Sequence, residues 1–350
     1  MPGVMQSRGP VYAVIAAALF GISTPLSKLL LGDIDPVLFA ALLYLGSGIG
    51  VFLLSRLRVL TAAPGEARLE PPDYPWLAGA TLAGGVIATL CLLYGLEATP
   101  AATASLLLNF EIVATTLIAH FVFAEYIGKR VMAAIVIITV ASIVLSWNAT
   151  GELGFSFAAL LIIAACAFWG LDNNLTRKIS GKDPLAIATV KGLGAGSVSL
   201  VLALVTRSDM PELSILAAAL GVGFLTFGLS IVLFVLALQD LGAARTGAYF
   251  AVAPFIGTVA SLLIFREFPG TGFFIALVLL LAGVILLVSE RHIHRHLHER
   301  VMHTHRHLAD DHHVHPHTGE DIDEHIHEHV HEPVEHEHDH APDIHHRHER

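Results

Sequence analysis

Charge is what this sequence has least of. Asp, Glu, Lys and Arg make up 14% of its 350 residues, against about 25% in a soluble globular domain. That shortage excludes a surface wetted on all sides. Basic residues are scarcer than acidic ones, 20 against 30, which excludes the positive face of a nucleic-acid binder. Cysteine is nearly absent: Cys91 and Cys166 each sit inside an apolar run. A disulfide-stapled secreted domain is excluded with it. The apolar runs hold no HExxH or comparable catalytic spacing, so the chain does not read as an enzyme.

What is abundant is apolar. Residues of the set AVILMFWYC make up 54% of the chain, and the mean hydropathy is +0.67. The averages hide a partition. Of 22 histidines, 21 lie in residues 290–350, a segment with a formal charge of −9. The body before it is nearly neutral.

A helix that crosses about 30 Å of hydrocarbon at 1.5 Å per residue needs roughly 20 apolar residues. Ten such runs are present: 10–31, 36–55, 75–96, 100–123, 131–147, 153–176, 184–206, 213–238, 242–265 and 270–289. Pro, Gly and charge separate them. The first run is too long for the apolar stretch of a signal peptide, so it reads as an uncleaved helix. With the N-terminus inside, the inner segments hold ten Lys and Arg, among them Arg56, Arg58, Arg68, Lys129, Arg130 and Lys178. The outer loops hold only Lys28, Arg207 and Arg266. Both termini are therefore expected in the cytoplasm.

Residues 98–125 and 240–267 repeat one element at an offset of 142. ATPAATASLLLNFEIVATTLIAHFVFAE is echoed by DLGAARTGAYFAVAPFIGTVASLLIFRE, with Ala101, Ala102 and Glu125 falling on Ala243, Ala244 and Glu267. Phe20-Gly21 before Lys28 matches Trp169-Gly170 before Arg177 at an offset of 149. The body thus reads as two five-helix units, residues 1–147 and 148–289. Five is odd, so the second unit enters the membrane from the opposite side. The expected fold is all-α and integral to the membrane, ten helices in two inverted repeats.

These residues resemble the drug/metabolite transporter superfamily, specifically its EamA-type ten-helix members, over roughly residues 10–289. The likeness rests on the two repeat units, on the Glu111 helix followed by Phe123-Ala124-Glu125, and on the Pro254 helix ending at Arg266-Glu267. Ile112 stands where a proline commonly follows the mid-helix glutamate, and Ala253 where a second glutamate would pair. The resemblance implies a secondary transporter, often an exporter, of small metabolites or drugs in a bacterial inner membrane. A homodimer is left open.

Ionisable residues within a span cost ~2.5–3.5 kcal/mol each on insertion scales, so each calls for a partner or a task. Glu111 lies near the midplane with no charged partner at its depth. Low dielectric favours its neutral acid, which suits a proton carrier or a ligand for a cationic solute. Asp172 and Lys191 lie at matching depth in one helical hairpin, and an ion pair between them is expected, with a substrate role as the alternative. Asn109, Asn173, Asn174 and Thr115 are candidates to line the same cavity. Tyr44, Trp169 and Tyr249 read as core, and the glycines of 46–50 and 192–196 as points of close helix approach.

The tail alternates histidine with charge: His292, His294, His296 and His298; His303, His305 and His307; His325, His327, His329 and His331. With few aliphatics it cannot bury a core, so it reads as disordered. Neutral imidazoles two apart, flanked by Asp and Glu, suit Zn, Ni, Co or Cu ions. No cofactor is otherwise required. The tail reads either as a regulator beside a metabolite exporter, as the feed of a divalent-metal exporter, or as a membrane-anchored metal sensor or buffer that transports nothing.

Overall fold

A computed structural model describes residues 8–57, 67–124, 127–147, 156–241, 243–266 and 268–288, with the backbone of 292–297, 301–308, 324–331 and 335–340. Among the described residues eight helices are long and apolar enough to cross a membrane. They are α1 (Gly9–Leu30), α2 (Pro36–Arg56), α3 (Pro71–Ala98), α4 (Ala101–Phe123), α5 (Lys129–Ser146), α6 (Phe157–Arg177), α7 (Pro184–Thr206) and α8 (Leu213–Ala237). The ninth and tenth apolar runs of the sequence are shorter helices. We label α9 the pair Ala243–Phe250 and Ala253–Phe265, and α10 the helix Thr271–Val288.

Local chemistry sets where the helices start. Asp35 and Asp183 each precede a proline that opens a helix, α2 and α7 respectively. The Asp35 carboxylate accepts from the N–H groups of Val37 and Leu38 at 2.9 and 3.3 Å. Asp183 does the same for Leu185 and Ala186 at 2.8 and 3.3 Å. Such a cap contributes about 1 kcal/mol, and proline costs nothing at the first helical position.

Backbone features recur at the offset read from the sequence. A π-helical segment at Thr81–Ala88 of α3 is matched by one at Gly223–Leu229 of α8. The break in α4 after Leu107 is matched by the break in α9 after Phe250. Ala124 and Arg266, just past α4 and α9, both take a left-handed φ, 57° and 51°. Helix pairing follows the same rule. Shifting each helix number by five turns α4–α6 into α9–α1, α3–α6 into α8–α1 and α3–α7 into α8–α2, and all of these pairs pack. The counterparts α2 and α7 also pack on each other, as do α5 and α10.

The α2–α7 crossing shows why glycine is needed there. A Cβ on Gly48 would stand 2.5 Å from the backbone nitrogen of Leu193, and one on Gly192 would overlap the backbone of Gly48. Lipid gives helices no hydrophobic drive to associate, so close backbone approach supplies the packing energy. The sequence reading of both glycine clusters is met. Away from the crossings the surface carries exposed Leu204, Val205, Leu263, Val278 and Ile285, the face that acyl chains require.

Both ends of α2 are tied to α7 or its flanks. Beyond the C-terminal end of α2, Asp183 N–H donates to the Ala67 carbonyl at 3.0 Å. Lys182 Nζ there lies 3.4 Å from Glu70 Oε2 and 3.3 Å from Asp73 Oδ2. At the other end Ser208 Oγ donates to Asp35 Oδ1 at 2.8 Å. The contacts along the crossing run the same way, Gly192 against Gly48 and Gly196 against Leu45, so α2 and α7 run antiparallel.

Parts of the tail backbone are extended. Its described backbone forms two antiparallel ladders, His292–Leu297 with Glu335–His340 and Val301–Leu308 with Glu324–His331. The cause is the alternation itself, since a period of two is the strand period. Neither ladder packs extensively on a helix, and a lone two-stranded ribbon is marginally stable in water. His298, the tail side chains, Glu125 and Glu267 lie outside the described residues.

Candidate functional site

The interrupted α4 places the central carboxylate. Its second segment, Phe110–Phe123, starts inside the span, with Glu111 in the first turn. There the positive end of the helix dipole favours negative charge, although the N–H groups of Glu111 and Ile112 are already donated to the carbonyls of Leu108 and Asn109. Glu111 faces α6, and Asn173 Nδ2 donates to Glu111 Oε1 at 2.7 Å. The same amide lies 3.3 Å from Thr115 Oγ1, one turn further along α4. Asn174 pins the two backbones together, donating to the carbonyls of Thr115 at 3.0 Å and Gly170 at 2.8 Å. Gly170 permits that approach, for a Cβ there would sit 2.7 Å from the Thr115 nitrogen. Asn173 is exposed while Glu111 and Thr115 are half-buried, so protein does not close off the pair on every side. Among the described residues no cation pairs with Glu111.

Beside it lies a closed network. Lys191 Nζ donates to Asp172 Oδ1 at 2.6 Å and to Thr176 Oγ1 at 3.2 Å, and Thr176 Oγ1 donates to Asp172 Oδ1 at 2.9 Å. The ion pair expected from matching depth is present. Its side chains are 7% and 9% exposed, so it is a buried device and not part of the face left open.

The π segment of α3 supports Asp172 from below. A Cβ on Gly84 would overlap the Asp172 carboxylate. The Gly84 carbonyl is a hub, accepting from Tyr44 Oη at 3.3 Å, Thr89 Oγ1 at 3.1 Å and Trp169 Nε1 at 3.2 Å. A π-helical turn displaces the regular bonding ladder, and such turns recur at functional sites. From Trp169 an aromatic seam crosses the bundle. Phe20 stands 6.0 Å from Trp169, 6.1 Å from Phe227 and 5.4 Å from Phe250 between ring centres, and Tyr44 is 5.5 Å from Phe227.

Of the residues singled out from sequence, Glu111, Asn173, Asn174 and Thr115 come together, and Asp172 pairs with Lys191 alongside. Asn109 does not join them: it is buried at the α4 break and donates to the Leu106 carbonyl at 2.9 Å. Trp169 and Tyr44 are core, as expected, yet both serve the Gly84 hub, whereas Tyr249, also expected in the core, is 41% exposed. Sequence reasoning missed Gly84 and Thr176. The available signal was the glycine-containing pair of segments Thr81–Ala88 and Gly223–Leu229 at the shared offset. Among the described residues no three of His, Cys, Asp and Glu converge as a metal-binding set.

Apolar helices of membrane-spanning length define an integral membrane protein. The chain belongs to the EamA-like transporter family, which matches residues 7–147 and 156–289. It is 32% identical over 294 residues to an uncharacterized transporter of Methanothermobacter thermautotrophicus, spanning 80% of this chain and 85% of that one. A protein crystal structure shares the fold at a TM-score of 0.61 and 18% identity, over 81% of this chain and 99% of that one.

Proposed function

We propose that the protein is a secondary transporter that exports a small organic metabolite or drug by alternating access, with Glu111 and Asn173 as its solute or coupling site. Ten spans form two oppositely threaded five-helix repeats, residues 1–147 and 148–289. The antiparallel course of α2 and α7 supports that threading. Rocking of the repeats about the Gly48–Gly192 crossing would open the Lys182 contacts at one end and the Ser208–Asp35 contact at the other in turn. Both termini face the cytoplasm of a bacterial inner membrane, and the tail binds Zn, Ni, Co or Cu ions as a regulator.

The observation that carries this reading is the Glu111–Asn173 contact. A carboxyl group inside a span, answered by a neutral amide and open on one side, can exchange a proton or a cationic solute with the transport path. The aromatic seam next to it suits an organic body. The amide partner of Glu111 favours such a solute over a transition metal, which seeks further imidazole or thiolate ligands.

The test is flux in proteoliposomes across a panel of small organic solutes and divalent metals, with the full chain, a chain lacking residues 291–350, and Glu111→Gln. Organic-solute flux that survives loss of the tail, and whose pH dependence disappears in Glu111→Gln, is the expected result. Metal flux that vanishes with the tail would replace this reading with a metal exporter. Unchanged pH dependence in Glu111→Gln would remove the coupling role.

A further inference from the structure

The two ends of the bundle differ, although a pair of like repeats would make them alike. Asn173 on α6 is exposed, while Thr24, its counterpart on α1 at the offset of 149, is 1% exposed. Tyr249 on α9 is 41% exposed, while Leu107, its counterpart on α4 at the offset of 142, is fully buried. Both exposed side chains lie on inward faces. Asn173 is one turn beyond Trp169 of the aromatic seam, and residues four apart share a face. Tyr249 precedes Phe250 of that seam and follows buried Thr246 by three residues. Packing differs in the same sense. Ser23–Leu30 of α1 packs on Ala101–Leu107 of α4. Among the described residues the counterpart segments, α6 and Ala243–Phe250 of α9, do not pack to a like extent. The bundle is therefore shut where α1 meets α4 and parted between α6 and α9.

Lys28 fastens the shut end. Its Nζ donates to the carbonyls of Leu96 and Glu97, at 2.6 and 3.0 Å, in the last turn of α3. The sequence prepares these acceptors. The i+4 donor for Leu96 would be the nitrogen of Pro100, which carries no hydrogen. The last carbonyls of a helix lack partners within it and form the negative end of its dipole, so an ammonium suits them. Lys28 is also one of only three Lys and Arg in the segments read as outer, where such residues are disfavoured. Its position calls for a task.

We infer that Lys28 is the latch of the shut end, and that the opposite state exchanges it for Arg177. Arg177 is the counterpart of Lys28 at 149, and Leu238 and Gln239 are those of Leu96 and Glu97 at 142. In the opposite state the end of α6 closes on the end of α8, where the guanidinium caps the carbonyls of Leu238 and Gln239. Lys28 then releases α3, and the Thr24 end opens. The latch rests on the two-repeat, alternating-access reading proposed above, and adds which end is shut and what holds it. It does not depend on the role of Glu111.

The test is labelling of the full-length protein in detergent with a charged thiol reagent. Thr24→Cys reports on the shut end and Tyr249→Cys on the parted end, each read above the labelling of Cys91 and Cys166. Tyr249→Cys should react much the faster. Lys28→Met should raise the Thr24→Cys rate about tenfold, the lower end of what bonds to a charged group hold, and slow Tyr249→Cys. Lys28→Arg should keep the original pattern. Adding Arg177→Met to Lys28→Met should bring the Thr24→Cys rate down again, because the opposite state then loses its own latch. Equal rates at the two reporters with Lys28 in place overturn the shut end itself. A Thr24→Cys rate unmoved by Lys28→Met overturns the latch, and so does a rise at both reporters together, which is loosening and not exchange. Organic-solute flux that persists beside either result leaves the transporter reading standing. Exchange without flux would remove that reading and keep the latch. Lys28→Gln is the milder change and decides the matter if Lys28→Met does not fold.

Discussion

Replacing Lys191 with Met would strand the Asp172 carboxylate with only Thr176 to bond it. The pair is held at 2.6 Å with side chains 7% and 9% exposed, so little solvent is present to replace the lost ammonium. Removing one member of a buried pair costs ~3–5 kcal/mol. A lone charge near a helix centre costs about 3 kcal/mol on insertion scales, so two independent measures agree. Asp172→Asn strands Lys191 in the same way and should cost a similar amount. At about 2 °C per kcal/mol for a chain of this size, each single variant should lower Tm by about 8 °C. The double variant removes both charges and keeps similar volumes, so it should regain more than half of the loss. Melting of all four proteins in detergent, followed by size exclusion, measures the cycle. A double variant whose loss equals the sum of the singles would show that the charges do not act as a pair, and the reasoning would fail.

The α2–α7 crossing predicts that Gly48→Val, whose side chain must enter the Leu193 backbone, costs ~1–3 kcal/mol or more. Gly32→Ala, with nothing within 4 Å of the added carbon, should melt unchanged as its control. Lys182→Ala should lower stability by about 1 kcal/mol, roughly 2 °C in Tm, because its partner Glu70 is 67% exposed and exposed pairs contribute little, the contact with Asp73, 15% exposed, giving most of the loss. It should nevertheless increase thiol labelling of Ala67→Cys as the local contact opens. A chain cut after residue 290 should lose most zinc bound per mole by elemental analysis, with Tm of the helical body unchanged.

What could be read in advance follows from which forces leave a trace in sequence. Span length is dictated by the bilayer, and the ends of α2 and α7 are marked by Asp-Pro, so both helices start at the expected residues. The Asp172–Lys191 pair was legible because a short hairpin holds its two helices at matching depth. The Glu111–Asn173 contact was half legible: both residues stood out as polar in lipid, but depth alone did not say which would meet. The π turns left almost no trace, because an extra backbone residue in a helix does not alter composition. Without them the Gly84 hub could not be anticipated. Asn109 misled because it is two residues from Glu111, and residues two apart on a helix do not share a face.

In the two-repeat reading the halves share a scaffold and differ in charge. The close approaches at Gly21 and Gly170 occur in both, each glycine standing against the backbone of the partner helix. The polar residues do not repeat. The counterpart of Glu111 at the offset of 142 is Ala253, and those of Asp172 and Asn173 at 149 are Ser23 and Thr24. Lys191 falls on Leu43 at 148, the offset set by Asp35 and Asp183. Were the carboxylates needed only to join helices in lipid, the α9–α1 junction would need them as much as the α4–α6 junction, since the two pack alike. It manages with alanine, serine and threonine. On the proposed function, charge at one of the two junctions belongs to the solute, which requires a single site reachable from either side of the membrane and gains nothing from a second.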